Sequence, residues 1–323
     1  MKAIRIHTTG GPEVLSYEDL PTLQPAEGEV LIKTSAIGVN FIDIYHRIGR
    51  YSQPLPFTPG VEAAGRVEAV GAGVTEFRAG DRVAVFLSTG CYAEYVSAPA
   101  ARAVSVPEGL DDRSAVAALV QGMTAYAFTD QTYSIKPGDT VLIHAAAGGL
   151  GLLLAQCAKR RGARVIGTTS TEAKAALARE AGCDEVILYT QTDFEVEVKR
   201  LTDGKGVNAV YDSVAKTTFE KGLNVLKPRG MMILCGSASG PAPMLDPNSL
   251  SSKGSLYLTR PLLYHYVAQR EDLLSTAANV FSLVQSRGLK LRLEHTYPLS
   301  EAAQAHKDLE ARLTTGKLLL MPG

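Results

Sequence analysis

Between Asp139 and Lys174 the chain reads DTVLIHAAAGGLGLLLAQCAKRRGARVIGTTSTEAK. Thr140 to His144 is a short apolar run rich in β-branched residues, the pattern of a buried strand. Ala145 to Gly151 contains only Ala, Gly and one Leu. From Leu152 to Arg161 apolar residues recur at helical spacing, Lys and Arg gather at the end, and Gly162 supplies the stop. Arg164 to Thr168 reads as a second buried strand. A strand–turn–helix–strand unit crosses over right-handedly and builds a parallel sheet, which commits this part of the chain to an α/β, doubly wound architecture.

The turn carries chemistry. Ala145-x-x-Gly148-x-x-Gly151 has the spacing of a dinucleotide fingerprint, with Ala in place of the first Gly. Gly148 and Gly149 let backbone N–H groups approach a pyrophosphate, Leu150 lies between, and Gly151 lets the helix pack closely on the strand. The helix N-terminus adds partial positive charge for the phosphates. An ordinary βα turn could carry the same glycines, but the flanking strand and helix are the context a dinucleotide site requires.

The end of the second strand selects the nucleotide. An NAD site places Asp or Glu about 20 residues past the glycines to hold the ribose 2′-OH. Here the strand ends in Gly167-Thr168-Thr169-Ser170, followed by Thr171 and Lys174. Hydroxyls and an ammonium suit a 2′-phosphate and point to NADPH. Glu172 keeps NADH open on these residues alone.

Net charge is zero, with Lys+Arg 33 against Asp+Glu 33, so the chain has no general electrostatic footprint for nucleic acid or anionic membrane. No apolar run is long enough to span a bilayer, and MKAIRIHTTGG lacks the apolar core of a signal peptide, so a cytoplasmic location is expected. Cys91, Cys157, Cys183 and Cys235 are far apart in sequence, which excludes a Cys-x-x-Cys motif and suits small core residues in a reducing compartment.

The 323 residues allow two domains. The first third alternates short strands with Gly and Pro turns: Lys2–His7, Glu29–Ile37, Glu62–Val70, Arg82–Phe86 and Tyr92–Ser97. That is the pattern of a small, partly closed β-barrel. Gly38 to Pro59 is polar and aromatic with few strand signals, an irregular stretch of the kind that carries function. Pro107 to Tyr133 reads as helical and apolar. Beyond the first two strands of the α/β region, three more are expected at Glu185–Leu188, Ala209–Asp212 and Met231–Cys235. Ligands in such sheets sit beyond the carboxyl ends of the strands. After Ser255–Leu258, Arg260-Pro261 breaks the strand; a helix is expected over Arg270–Arg287 and strands over Lys290–Thr296 and Leu318–Met321. The tail then returns to the barrel, giving a barrel domain of 1–123 and 262–323 and a nucleotide domain of 124–261.

At this point several motifs coincide. NFIDIYHRIGRY, PGVEAAGRVEAVG, AGDRVAVF, KPGDTVLIHAAAGGLG and GSLYLTRP, in this order, resemble the quinone oxidoreductases, the zinc-free, zeta-crystallin-like branch of the medium-chain dehydrogenase/reductases. The resemblance runs from GGPEVL near the start to TGKLLLMP at the end. It implies a GroES-like β-barrel catalytic domain plus a Rossmann doubly wound parallel-sheet domain, and an NADPH:quinone reductase activity. In zinc-dependent relatives the segment matching Gly38-Val39-Asn40 ends in a Cys ligand, and the one matching Gly60-Val61-Glu62 reads Gly-His-Glu. Here Asn40 and Val61 stand at those positions, so two of the three protein ligands of a catalytic zinc are missing, and the four close cysteines of the structural zinc are absent. No metal is expected.

The resemblance implies hydride transfer to a quinone, with Asn40, Tyr45 and Tyr51 as the catalytic candidates: an amide and phenols able to hydrogen-bond a developing quinol oxyanion. Each of them would equally serve as packing in the cleft wall. It places Phe41, Ile42, Asp43 and Tyr45 in the nicotinamide-side loop and Thr124 and Tyr126 on the linking helix. It places Gly149 and Leu150 at the pyrophosphate, Ser170, Thr171 and Lys174 at the 2′-phosphate, and Tyr189 beside the adenosine. Val214, Gly236, Ser237 and Ser239 fall at later strand ends, and Leu258, Thr259 and Arg260 close over the nicotinamide end. Arg312 matches a basic residue reaching the 2′-phosphate region, although by itself it reads as a surface helix charge. His46 and Arg47 make the cleft mouth more basic or are simply solvated. An enone reductase using the same hydride geometry, and an NADPH-binding structural or RNA-binding protein, are the competing readings. A homodimer is expected, because the strand at Ser255–Leu258 reads as a sheet edge.

Overall fold

The computed structural model describes residues 1–323, which divide into two compact units: Met1–Met123 with Val267–Gly323, and Thr124–Tyr266. The first unit opens with β1 (Lys2–Arg5), β2 (Ser16–Asp19), β3 (Glu29–Val39), β4 (Glu62–Val70), β5 (Arg82–Phe86), β6 (Tyr95–Pro99) and β7 (Ala103–Ser105). The second unit holds β8 (Thr140–Ile143), β9 (Arg164–Thr169), β10 (Glu185–Leu188), β11 (Val207–Asp212), β12 (Leu226–Leu234) and β13 (Tyr257–Thr259). The returning chain adds β14 (His295–Pro298) and β15 (Leu318–Met321) to the first unit.

The first unit is built on β3. Its 11 residues pair with β4 on one side, and on the other with β6 over Glu29–Lys33 and β15 over Ile37–Val39. The β3–β4 register shifts twice, between Leu31 and Ile32 and between Thr34 and Ala36, and such extra residues bend a strand and increase its twist. The resulting seven-stranded sheet runs β14-β15-β3-β4-β5-β7 with β6 also on β3. Val30, Ile32, Ile37, Val83, Val85 and Leu320 fill its core.

Three expectations need correction here. Gly38–Pro59 is not irregular throughout, because Phe41–Arg47 forms a helix. The strand expected over Lys290–Thr296 lies at His295–Pro298, where parallel pairing of His295 with Leu318 fixes its start. The helical stretch expected from Pro107 begins at Asp112. Asp111 caps it, accepting from the Ser114 N–H at 2.8 Å, and it continues to Thr132 with wider turns at Ala118–Gly122 and Phe128–Thr132.

The second unit has six strands in the order β10-β9-β8-β11-β12-β13, and every pairing is parallel. Strand order reverses between β8 and β11, the switch point beyond which open α/β sheets bind ligands. Leu142, Ile166, Val210 and Met232 come from four adjacent strands and form a continuous buried core with Phe194 and Phe219. No helix is long and apolar enough to cross a membrane.

Candidate cofactor and acceptor sites

In the second unit the expected glycine turn joins β8 to the helix Gly149–Arg160. Ala145 takes φ 52°, the left-handed conformation that glycine ordinarily supplies at the first fingerprint position. Gly148 is the N-cap and no side chain caps the helix, so its first N–H groups stay available to an anion. Gly151 is required by packing. A Cβ there would lie 2.2 Å from the Ala145 carbonyl oxygen and 2.8 Å from the Ala146 Cα, both backbone atoms that cannot step aside. Beneath the turn, buried His144 bonds the Thr168 hydroxyl through Nδ1 at 3.0 Å and ties the end of β8 to β9.

Beyond β9, Thr171 caps the helix Glu172–Glu180, its Oγ1 accepting from the Lys174 N–H at 3.3 Å. Glu172 pairs with Arg179 farther along the same helix. Its carboxylate is thereby held along the helix, and Ser170, Thr171 and half-buried Lys174 remain around the strand end. Tyr189, at the end of β10, is 40% exposed and donates its backbone N–H to the Thr169 carbonyl at 3.1 Å. The Thr190 hydroxyl donates to the Ser170 carbonyl at 2.9 Å.

The loops after β11 and β12 are zipped together. Buried Asp212 accepts from the N–H groups of Val214 at 2.8 Å and Ala215 at 3.0 Å and from the Thr218 hydroxyl at 2.7 Å. Ser239 donates its hydroxyl to the Val214 carbonyl at 2.8 Å, and a Cβ on Gly236 would meet the Ser213 carbonyl at 2.6 Å. Ser237 is buried between them in sequence. Leu258 and Thr259 belong to β13, and Arg260 reaches back to the Leu234 carbonyl at 2.6 Å. Thr124 and Tyr126 are half-buried on the helical turn Met123–Ala127.

In the first unit, Asn40 to Tyr51 form one cluster. The helix Phe41–Arg47 starts where Asp43 turns back to accept the Asn40 N–H at 2.8 Å, one half of a capping box. Phe41 and Tyr45 lie with ring centroids 6.3 Å apart, Tyr45 and Tyr51 meet edge to face at 5.6 Å, and the Arg50 guanidinium sits 4.7 Å over the Tyr45 ring. Ile42 is half-buried, while Tyr51 is 36% exposed. Arg312, in the left-handed conformation at φ 59°, is an exposed residue of this same unit, just past the helix Ala302–Glu310.

Beneath this cluster lies a buried polar network that sequence reasoning missed. Arg47 and His46 were expected at a basic or solvated mouth; both are buried, Arg47 with 1% exposure. Arg47 donates through Nε to the Gly10 carbonyl at 3.1 Å and through Nη2 to Glu310 at 2.8 Å. Its Nη1 lies 3.1 Å from His306 Nδ1. Guanidinium can only donate, so Nδ1 accepts and the His306 proton sits on Nε2. That proton is given to the Tyr92 oxygen at 3.0 Å, and the Tyr92 hydroxyl donates to Asp43 Oδ2 at 3.0 Å. Every hydrogen in the chain points toward Asp43. Burial nevertheless pushes the Asp43 carboxyl up to about 7, against the opposing pull of the Asn40 N–H, Tyr92 and Lys317, and Oδ1 is buried with no partner. Burial, helped by Arg47, holds His306 down to about 3.

A second buried group surrounds Asn40. Lys317, 3% exposed, pairs with Glu62, which is 0% exposed, and donates to Asn40 Oδ1 at 2.8 Å. Asn40 Nδ2 donates to Glu62 Oε1 at 2.8 Å. Zinc does not fit here: Val61 offers no donor atom, the Asn40 amide is engaged, and no group of three His, Cys, Asp or Glu side chains could hold a metal.

Comparison with known proteins agrees with this geometry. Residues 26–108 match the model for the alcohol dehydrogenase GroES-like domain, and residues 149–277 that for zinc-binding dehydrogenases. A quinone oxidoreductase of Pseudomonas aeruginosa is 43% identical over 99% of both chains. The chain belongs to the zeta-crystallin-like quinone oxidoreductases. The crystal structure of Escherichia coli quinone oxidoreductase complexed with NADPH superposes with a TM-score of 0.96 at 41% identity, over 100% of both chains. A 2-haloacrylate reductase from a Burkholderia species is also 43% identical, over 98% of both chains. Within this family the α/β architecture is a GroES-like domain joined to a Rossmann-type parallel sheet, and the chain is an oxidoreductase.

Proposed function

We propose that this quinone oxidoreductase reduces quinones with NADPH, without a metal, in the overall conversion of NADPH, a proton and quinone to NADP⁺ and hydroquinone. The observation that carries the cofactor choice is the end of β9. It presents Ser170, Thr171 and Lys174, and the nearest carboxylate, that of Glu172, is paired with Arg179 farther along its helix. Bound NADPH supplies the hydride. The turn Gly148–Gly151, with Leu150, holds the pyrophosphate through backbone N–H groups. Tyr189 flanks the adenosine, and Val214, Gly236, Ser237 and Ser239 form the wall beyond β11 and β12. In the second unit, Leu258, Thr259 and Arg260, with Thr124 and Tyr126, are the candidates for the nicotinamide end; in the first, Phe41, Ile42 and Tyr45 are cofactor candidates by the family resemblance, while buried Asp43 holds the start of their helix. Arg312 remains a cofactor candidate on the family resemblance alone. Asn40 and Tyr51 meet the acceptor oxygen, and Tyr45 delivers its proton.

The test is the loss of reduced-nicotinamide absorbance on adding a simple quinone, run in parallel with NADPH and NADH. Rapid oxidation of NADPH, with NADH slow, is expected; NADPH binding without oxidation would remove the quinone reading. Similarity to a 2-haloacrylate reductase supports a second substrate class, activated carbon–carbon double bonds, reached by the same hydride. We further propose a cytoplasmic homodimer. β13 ends the sheet with Tyr257 51% exposed, a free edge able to pair with its copy. Sedimentation as a monomer at micromolar concentration would remove the dimer.

A further inference from the structure

We propose that Lys317 is a positioning residue that locks the Asn40 amide in one orientation, leaving it able to donate to an anionic acceptor oxygen and unable to accept. The proposal rests on Asn40 meeting that oxygen, as read above.

An asparagine side chain offers an acceptor and a donor end of nearly equal shape, and its neighbours decide which way it faces. At Asn40 both neighbours are unambiguous. Lys317 has donors only and lies 2.8 Å from Oδ1. Glu62, ionised against Lys317, accepts only and lies 2.8 Å from Nδ2. A flip would set amide hydrogens against an ammonium and the amide oxygen against a carboxylate. Gln121 Nε2, 3.3 Å from Oδ1, adds a second donor and uses the remaining lone pair. One Nδ2–H is left.

Glu62 is itself immobilised. Its Oε2 accepts the Val120 N–H at 2.8 Å, and its carboxylate lies against Gly38, where a Cβ would come within 2.3 Å of Oε1. Lys317 and Glu62 cancel in charge, so an arriving oxygen meets an N–H polarised by the ammonium on the far side of the same amide. Such a site favours an oxygen that gains negative charge during reduction, as in a quinol monoanion or an enolate. It disfavours an alcohol, whose hydroxyl would need an acceptor.

The test removes the lock without stranding a charge. Lys317→Met alone leaves Glu62 buried and unpaired and should lower stability sharply. Lys317→Met with Glu62→Gln should regain thermal stability and bind NADPH within about twofold of wild type. Its kcat for a simple quinone should stay down by at least about tenfold, because the amide is no longer oriented. Asn40→Ala should show a similar loss, and adding it to the double variant should cost nothing more. Recovery of kcat together with stability would overturn the proposal and make the pair purely structural. Wild-type kcat in Asn40→Ala would overturn the underlying reading of Asn40 instead. Should the double variant fail to fold, the wild-type protein still decides. With NADP⁺ bound, 4-nitrophenolate should shift one of the two Asn40 side-chain amide protons, assigned by their loss in Asn40→Ala, and no shift would overturn the proposal.

Discussion

The strand ends of the nucleotide-binding unit and the buried cluster under Phe41–Arg47 solve opposite problems. Around the glycine turn the groups proposed to meet the ligand are backbone N–H groups, hydroxyls and one half-buried lysine, all within 30 residues of one another. In the barrel unit the corresponding work falls to side chains buried almost completely, and Arg47 and His306 lie 259 positions apart. The first arrangement recognises a permanently charged ligand and can remain wet. The second must hold polar groups in fixed poses in a dry interior, and that requires every one of them to have been placed by the fold.

The largest effect expected from this contrast is on pH dependence. Moving the Asp43 carboxyl from its ordinary 3.8 to about 7 means that ionising it in the folded protein costs on the order of 4 kcal/mol. The folded state then holds a proton that the unfolded chain releases, so Asp43 makes stability fall as pH rises from about 4 to 7. His306 does the reverse. Held at about 3 against an ordinary 6.5, it is neutral in the fold while the unfolded chain is protonated, so stability rises with pH across that window. The two slopes oppose each other, and His46 and His144, also held down by burial, add to the rising one. Asp43→Asn should steepen the rise of stability with pH, and His306→Gln should weaken it, in urea midpoints measured between pH 4 and 7. An Asp43→Asn profile that still fell with pH would show that another group carries the slope.

Breaking the other region should be nearly as severe. Gly151→Val places a branched side chain where even a Cβ would sit 2.2 Å from a backbone oxygen. The turn must open, at a cost of about 3 kcal/mol. NADPH affinity should fall at least about a hundredfold, while the barrel unit keeps its own near-ultraviolet signature. Binding titration by nicotinamide fluorescence checks it, and near-normal affinity would dissociate the turn from the pyrophosphate.

The two regions also differ in how much of them the sequence revealed. The nucleotide unit was legible because its signals are local: β-branched runs, a glycine turn, and a helix closed by Gly162. The strand end lacking a carboxylate could be seen in the same way. The helix Phe41–Arg47 was missed because Ile42, Ile44 and three aromatic or imidazole residues are weak helix formers. The available signal was Asn40 followed three residues on by Asp43, a carboxylate variant of the capping box. Arg47 was misread as a surface charge because its partners, His306 and Glu310, come from the far end of the chain. Lys317 and Glu62, 255 residues apart, carry no local signal at all. The pairing of β15 with β3 and of β3 with β4 brings them together.

A milder change sharpens the cofactor half of the comparison. Lys174→Ala removes one ammonium from the end of β9 without touching the turn or the Thr171 cap, which uses the backbone N–H of residue 174. NADPH should bind about tenfold more weakly, about 1.4 kcal/mol, with NADH little changed. Equal weakening of both cofactors would move the 2′-phosphate elsewhere.

The smallest effect tests whether the turn is strained before any ligand arrives. Ala145 holds φ 52° with its side chain exposed, a conformation that disfavours any residue bearing a Cβ. Ala145→Gly relieves that cost but gives the unfolded chain more freedom, and the two partly cancel. A net gain of about 0.5 kcal/mol in unfolding free energy is expected. NADPH affinity should not change, because the Gly148–Gly151 backbone is already set by the Gly148 N–H bond to the Ala145 carbonyl at 2.9 Å and by the close approach of Gly151 to the same oxygen. If stability rose while affinity fell, the strain at Ala145 would be serving to aim the turn at the pyrophosphate.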